Sequence, residues 1–273
     1  MNIHDARTTS ADAVLQRAND GPVAMLMLNR PAARNSLSEA LLGALGETLA
    51  SIAKDERVRA VVLTANGPAF CAGHDLKELT SRRSDADGGR AYFQAIMNTC
   101  STMMQQIVAL PQPVIAAVQG VASAAGCQLV ASCDLAIAST KAGFATPGVD
   151  IGLFCSTPMV ALSRNVARKH AMAMLLTGDA VTAEKAAAIG LVNEVVAAGQ
   201  ERVRAIELAR QIASKSSHVI GIGKAAFYRQ IELPLAEAYN YASKVMTENM
   251  MARDAEEGIG AFIEKREPKW QDR

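Results

Sequence analysis

Two short runs of small residues mark where chemistry could be done. Residues 70–77 read FCAGHDLK and residues 121–128 read VASAAGCQ. Each follows an apolar run, and the second leads into a helical pattern. Small residues let a backbone approach a ligand closely. The first N–H groups of a helix lack partners inside it and carry the positive end of its dipole. Two such loops meeting over one carbonyl would form an oxyanion hole for a developing enolate. The same residues also suit tight packing of a helix on a sheet, since small residues are common at turns. Residue types alone leave both readings open. Cys127, Cys155 and Ser156 flank these loops, but a thiol or hydroxyl becomes a nucleophile only beside a base, and the sequence shows none. His4, His74, His170 and His218 are scattered without HExxH spacing, so no protein-built metal site is expected.

The elements that must hold these loops follow from hydrophobic periodicity. Residues 23–28 form a buried strand ending at Asn29-Arg30-Pro31. Ser36 and Glu39 have capping-box spacing, and Leu37, Leu41, Leu45, Leu49 and Ile52 then mark one helix face. Residues 59–64 are the next strand. Strand, helix, strand points to an α/β protein with parallel pairing. Residues 81–90 read as a surface loop, followed by a helix over 90–108 that Pro111 and Pro113 stop. Residues 114–118 are a further strand. An echo links the two loops: Gly67 and Gly73 recur as Gly120 and Gly126 after similar strands, an offset of 53 residues in both cases (120 − 67 and 126 − 73). A repeat of this kind suggests stacked or spiralled turns. Residues 135–138 are another strand, residues 144–153 a strand broken by turns, and Ser156-Thr157-Pro158 opens a helix. From about residue 203 the pattern is helical, with breaks expected near Gly221 and Pro234. This gives an extension over 1–13, an α/β core over 14–200 and a helical lid or oligomerisation region over 201–273.

Composition narrows the function. The chain has 273 residues, half of them apolar, enough for a large core. Lys plus Arg is 28 and Asp plus Glu is 27, a formal net charge of +1. That balance gives no reason to expect a nucleic acid partner. No apolar run has the length of a membrane span. Five cysteines without a CxxC pair fit free thiols in a reducing compartment. The first twenty residues carry Asp5, Asp12 and Asp20 and lack the apolar core of a signal peptide. From these two features a cytoplasmic location is expected.

In order along the chain stand LNRP at 28–31 with NSL at 35–37, AFCAGHDLKE at 69–78, QGVASAAGCQ at 119–128, CDLAIA at 133–138, FATP at 144–147, AEKA at 183–186 with GLV at 190–192, and EGIGAFIEKR at 257–266. With these motifs the sequence resembles the enoyl-CoA hydratase/isomerase family, the crotonases, from about residue 14 onward. The run at 144–158 resembles one subgroup of it. The resemblance implies a crotonase-like spiral of ββα turns with a C-terminal helical trimerisation region, assembled as a homotrimer or a dimer of trimers. It implies an acyl-CoA thioester as ligand, with coenzyme A entering as part of the substrate and no permanently bound cofactor. It places one oxyanion N–H on His74 and the second on Ala125. It places Arg34, Ser36 and Leu37, then Ala72, His74, Asp75, Leu76 and Lys77, along the coenzyme A moiety. Phe262 and Lys265 fall where a neighbouring subunit covers the adenine and phosphates.

Hydratases of this family use two glutamates to activate water and protonate the α-carbon. By the same resemblance those positions are Gln128 and Gly148. An amide orients water but cannot accept its proton near neutral pH, and glycine has no side chain. Asp150, two residues further on, is an acidic alternative at a position that is structural in many members. The pattern therefore leaves three functions open. One is an acyl-CoA enzyme using an unconventional group for isomerisation, decarboxylation or thioester cleavage. Another is a scaffold that binds acyl-CoA without turnover. The third is ordinary hydration with another carboxylate standing in.

Overall fold

The computed structural model describes residues 12–273, so the segment read as an extension lies almost wholly outside the described residues. Two antiparallel strands open it, Leu15–Asp20 (β1) and Val23–Leu28 (β2), with Asp20 opposite Val23 across a turn at Gly21. Helix α1 (Glu39–Ile52) follows and buries Leu41, Leu42, Leu45, Leu49 and Ile52, the face its periodicity predicts. Its N-cap is Ser38, whose Oγ accepts from the Leu41 N–H at 3.2 Å, and not Ser36. The helix starts late because Leu37 is held in a parallel bridge to His74, which keeps the chain extended there. The Glu78 carboxylate supplies the remaining cap, accepting from the Glu39 N–H at 2.9 Å.

A strand, a sharp corner and a shorter strand then recur three times. The pairs are Ala60–Ala65 (β3) with Ala69–Cys71 (β4), Val114–Val118 (β5) with Val121–Ser123 (β6), and Leu135–Ser139 (β7) with Gly143–Ala145 (β8). Helices Leu76–Ser81 (α2) and Arg90–Ala109 (α3) follow the first pair, and Ala125–Ser132 (α4) the second. Pro158–Asn165 (α5), Arg168–Thr177 (α6), the two-residue strand Val181–Thr182 (β9), Ala183–Ala188 (α7) and Glu194–Val196 (β10) complete the α/β part. The long strands form one sheet in the order β1-β2-β3-β5-β7-β10, and the short ones a second, β4-β6-β8-β9. Val61 lies opposite Val114, so the 53-residue echo is the register between adjacent turns of a spiral. Thr157 precedes α5 in helical backbone without a side-chain cap, and Pro158 alone supplies the expected start signal.

The main core fills the space between the sheets and α1, α3 and α4. The other face of the six-stranded sheet is covered by Glu201–Ala213 (α8). There Ala205 and Ala209 sit against Val23, Val62, Ile115 and Ile137. Helix α8 thus belongs to the core layering, and the helical tail leaves the sheet only after Ala213. Helix Ser217–Gln230 (α9) runs unbroken through Gly221, contrary to the expected break. Gly221 keeps a helical conformation beside Pro111, where a Cβ would make an ordinary 3.6 Å contact, so this glycine is tolerated inside the helix and does not end it. Pro234 does separate α9 from Leu235–Met250 (α10), which Arg253–Glu264 (α11) follows.

A buried ionic cluster fastens α9. Lys224 Nζ donates to Asp134 Oδ2 at 2.7 Å and to the carbonyls of Ile107 and Gln112 at 3.0 and 3.2 Å. Asp134 also accepts from the Val114 N–H at 2.7 Å and the Tyr228 hydroxyl at 3.0 Å. The C-terminal segment is tied back by Trp270, whose indole donates to the Ser214 carbonyl, and by an Arg59–Asp272 ion pair. Helices α10 and α11 keep large apolar residues in the open, with Leu235 at 76%, Tyr239 at 69% and Phe262 at 84% exposure. No helix of the described residues is long and apolar enough to cross a membrane.

Candidate functional site

The two small-residue loops come together at the C-terminal ends of β4 and β6. Gly73 has φ +93°, a conformation that costs glycine little. A Cβ there would lie 3.0 Å from Ala124 Cβ and 3.4 Å from the Ala125 nitrogen. In the reverse direction, a Cβ on Gly126 would sit 2.1 Å from the Cys71 carbonyl oxygen. Adjacent turns of the spiral therefore touch backbone to backbone, and only glycine permits it. Ala124 takes φ +50°, so the strained position in the AAG triplet is Ala124, while Ala125 is the first helical residue of α4.

The hydrogen bonds around the contact leave the N–H groups of His74 and of the first turn of α4 over. Leu37 N–H donates to the Gly73 carbonyl at 2.7 Å, Asp75 N–H to the Leu37 carbonyl at 3.3 Å, and Ala72 N–H to the Arg34 carbonyl at 3.0 Å. Ala124 N–H is used by the Ala145 carbonyl at 2.9 Å. Among the described residues no acceptor takes the N–H of His74 or of Ala125. The second is one of the free donors at the start of α4. Unpaired N–H groups thus stand on neighbouring turns, and such donors suit an anionic oxygen where they converge on one point.

The polar residues nearby divide into structural and unpartnered ones. Asp75 caps α2 through Lys77 N–H at 3.1 Å and also binds Arg30 at 3.0 Å and the Ser36 hydroxyl at 3.2 Å. Burial alone would raise its carboxyl, but Arg30 and the N–H groups of Glu78 and Lys77 outweigh burial and hold it below the usual range. Ser36 and Asp75 therefore build the loop. Arg34, Leu76 and Lys77 are exposed beside it. Asp150 lies with its carboxylate against Gly178, at the end of α6.

In contrast, four buried polar atoms near the free donors have no partner in the protein. They are both ring nitrogens of His74, Gln128 Oε1 and Thr146 Oγ1. The His74 ring is buried without a side-chain partner. Burial lowers its pKa, and the backbone at Leu37 opposes that shift. Gln128 is only 5% exposed and borders a cavity of about 520 Å³ together with Met104, Val108, Ala131, Val160 and Ala161. Its lining comes from the second half of α3, from α4 and α5, and from Tyr228 and Glu232. Gly148 faces the segment after it: a Cβ there would meet Cys155 Sγ at 3.0 Å and the Leu153 carbonyl at 3.1 Å. Cys127 is buried with its thiol pushed up to about 12, which suits packing and not nucleophilic attack. Thr146 stands in the FATP run, but the sequence gives it no role. Its interest comes from burial without a partner.

Comparison with known proteins agrees with this geometry. The family described as enoyl-CoA hydratase/isomerase matches residues 18–273. The mitochondrial enoyl-CoA hydratase domain-containing protein 3 of Rattus norvegicus is 46% identical over 254 residues, which cover 93% of this chain and 83% of the relative. The crystal structure of an enoyl-CoA hydratase from Mycobacterium smegmatis is similar with a TM-score of 0.89 at 51% identity, covering 94% of this chain and 98% of that one. Human enoyl coenzyme A hydratase domain-containing protein 3 gives a TM-score of 0.89 at 44% identity, covering 94% of this chain and 100% of that one. One expectation falls here. The relatives at 46% identity are named as mitochondrial, against the cytoplasmic location inferred from thiols and the N-terminal segment. Free cysteines report a reducing environment, and that environment does not single out the cytosol.

Proposed function

The chain belongs to the enoyl-CoA hydratase/isomerase family, and we propose that it binds an acyl-CoA thioester whose carbonyl oxygen is held by the N–H groups of His74 and Ala125. The observation that carries this reading is the pair of unsatisfied donors where Gly73 meets Ala124 and Ala125. Arg34, Ser36, Leu37, Ala72, Asp75, Leu76 and Lys77 line the approach of the coenzyme A moiety. Coenzyme A arrives with the substrate, with no separate cofactor. Phe262 and Lys265 on the exposed end of α11 face a neighbouring copy, and the apolar residues left open on α10 and α11 support a homotrimer or a dimer of trimers.

Ordinary hydration is not the activity this reading favours. Gln128 cannot accept a proton from water, and Gly148 offers no group. Each lost general acid or base costs roughly two to four orders of magnitude in rate. Calorimetry with butyryl-CoA and free coenzyme A, beside a crotonyl-CoA hydration assay of the wild type and Gln128→Glu, tests the proposal. Tighter binding of the thioester than of coenzyme A with negligible wild-type hydration is expected. Equal binding of the two, or hydration at the rate of an ordinary hydratase, would overturn it.

A further inference from the structure

Helix α11 is poorly seated by its own side chains. Of its 12 residues only Asp254 and Ala261 are buried, and Ile259, Phe262 and Ile263 stand in the open. So short a helix is marginal alone in water. Residues 269–273 return along its first turns and grip it through the main chain. Asp254, 1% exposed, accepts from the N–H groups of Gln271 and Asp272 at 2.6 and 2.8 Å, one on each carboxylate oxygen. Its own N–H donates to the Arg273 carbonyl at 3.1 Å. Glu257 accepts from the Lys269 N–H at 2.7 Å and from Arg266 at 2.7 and 2.9 Å. Hydrogen bonds to an ionised carboxylate are the stronger kind. The Trp270 ring lies on the helix at Gly258, where a Cβ would come within 3.1 Å of it.

The same segment also grips the body of the protein. The Trp270 indole donates to the Ser214 carbonyl at 2.9 Å, just past α8. Asp272 accepts from the Ser217 N–H at 2.8 Å, at the start of α9, and pairs with Arg59, which precedes β3. Arg59 donates in turn to the Ala213 carbonyl at 3.0 Å. Residues 269–273 therefore stand between α11 and the α8–α9 junction, with one row of bonds to each.

Resting on the reading that Phe262 and Lys265 cover the coenzyme A of a neighbouring copy, we propose that residues 269–273 form a clasp that fixes α11 on the body, and that Asp254 and Trp270 are positioning residues for that contact. Neither touches the ligand. They set where α11 stands, and Phe262 and Lys265 ride on its far end. Opening the clasp releases α11 while the sheets stay folded, because among the described residues none from 254 to 273 enters either hydrophobic core.

The test measures two affinities by calorimetry, for butyryl-CoA and for butyryl-pantetheine, the same thioester without the nucleotide end. Hydrogen exchange followed by mass spectrometry reports on α11 and on the sheets. Losing one charge-assisted bond is worth about tenfold in an equilibrium, so Asp254→Asn should speed exchange in α11 by about tenfold and leave the sheets unchanged. Asp254→Ala/Trp270→Ala removes both grips and should weaken butyryl-CoA by at least about tenfold while butyryl-pantetheine binds as before. Trp270→Phe keeps a ring on Gly258 and should stay within about threefold of wild type. Phe262→Ala/Lys265→Ala should reproduce the selective loss of butyryl-CoA, and adding Asp254→Ala/Trp270→Ala to it should cost little more. The inference fails, with the reading beneath it intact, if Phe262→Ala/Lys265→Ala weakens butyryl-CoA but Asp254→Ala/Trp270→Ala stays within about threefold of wild type. It also fails if Asp254→Ala/Trp270→Ala weakens both thioesters alike or loses protection in the sheets, the marks of general destabilisation. If Phe262→Ala/Lys265→Ala leaves butyryl-CoA affinity unchanged, the reading of α11 falls and the inference falls with it.

Discussion

Replacing Lys224 by methionine should be among the costliest single changes in this chain. Its ammonium is 7% exposed and donates to the Asp134 carboxylate and to two carbonyls at the end of α3 and before β5. Methionine fills a similar volume but leaves Asp134, 14% exposed, with two neutral donors and no counter-charge. Breaking a buried pair from one side costs about 3–5 kcal/mol, since the surviving charge stays desolvated. The residual exposure of Asp134 puts the expectation near the lower end, about 3 kcal/mol. With an unfolding slope near 3 kcal/mol per M, this lowers the urea midpoint by about 1 M. Removing both charges in Lys224→Met/Asp134→Leu should cost clearly less than the sum of the two single changes, since no lone charge then remains. Equilibrium urea unfolding followed by circular dichroism measures all four proteins. A Lys224→Met midpoint indistinguishable from wild type, or strict additivity in the double variant, would refute the reasoning.

Three other outcomes follow from the geometry. His74 has its pKa lowered in the fold, so as pH falls through 6.5 the unfolded chain takes up that proton first and stability is lost on the acid side, while above 6.5 the contribution is fully present. Urea midpoints of His74→Gln should accordingly decline less between neutral pH and the acid side of 6.5 than those of wild type, and parallel curves would contradict this. Ala124→Gly relieves an L-residue at φ +50° and should raise stability by about 1 kcal/mol after the extra entropy of the unfolded chain is subtracted, read as an increase in Tm by calorimetry. All five cysteines are buried, and burial pushes the Cys71, Cys100 and Cys127 thiols up to about 12. A thiol reagent at neutral pH should therefore label the native protein slowly and all five positions rapidly in denaturant, and fast native labelling would speak against the packing of these loops.

Much of the scaffold is legible in the sequence because it rests on local signals. The leucine face of α1, the strand at Val114–Val118 and the stop at Pro111 each depend on periodicity or on a residue that fixes the backbone. The spiral shows as an echo because Gly67 and Gly120 both mark corners. The third turn, β7 to β8, has no glycine at its corner and stays hidden. Misreadings arise where a distant segment intervenes. Ser36 has the spacing of a cap, but the bridge between Leu37 and His74 moves the helix start to Ser38. Gly221 resembles a helix break because a glycine weakens a helix locally, and the helix around it holds through the contacts of its other residues. The site divides in the same way. His74 and Ala125 come from motif positions, whereas Thr146 and the cavity beside Gln128 depend on which polar atoms lack partners, a property of the assembled fold.

The contact between Gly126 and the Cys71 carbonyl bears on how such a protein can change over time. The two donors are fixed by the spacing of neighbouring backbone turns, and they belong to the main chain. No side-chain replacement at 74 or 125 removes them, except proline, which has no N–H to give. On the proposed reading, the grip on an oxygen and the means of moving a proton are separately heritable. A lineage could then discard one acid or base and recruit another from the surrounding strand ends while the proposed anion-holding frame survives the exchange.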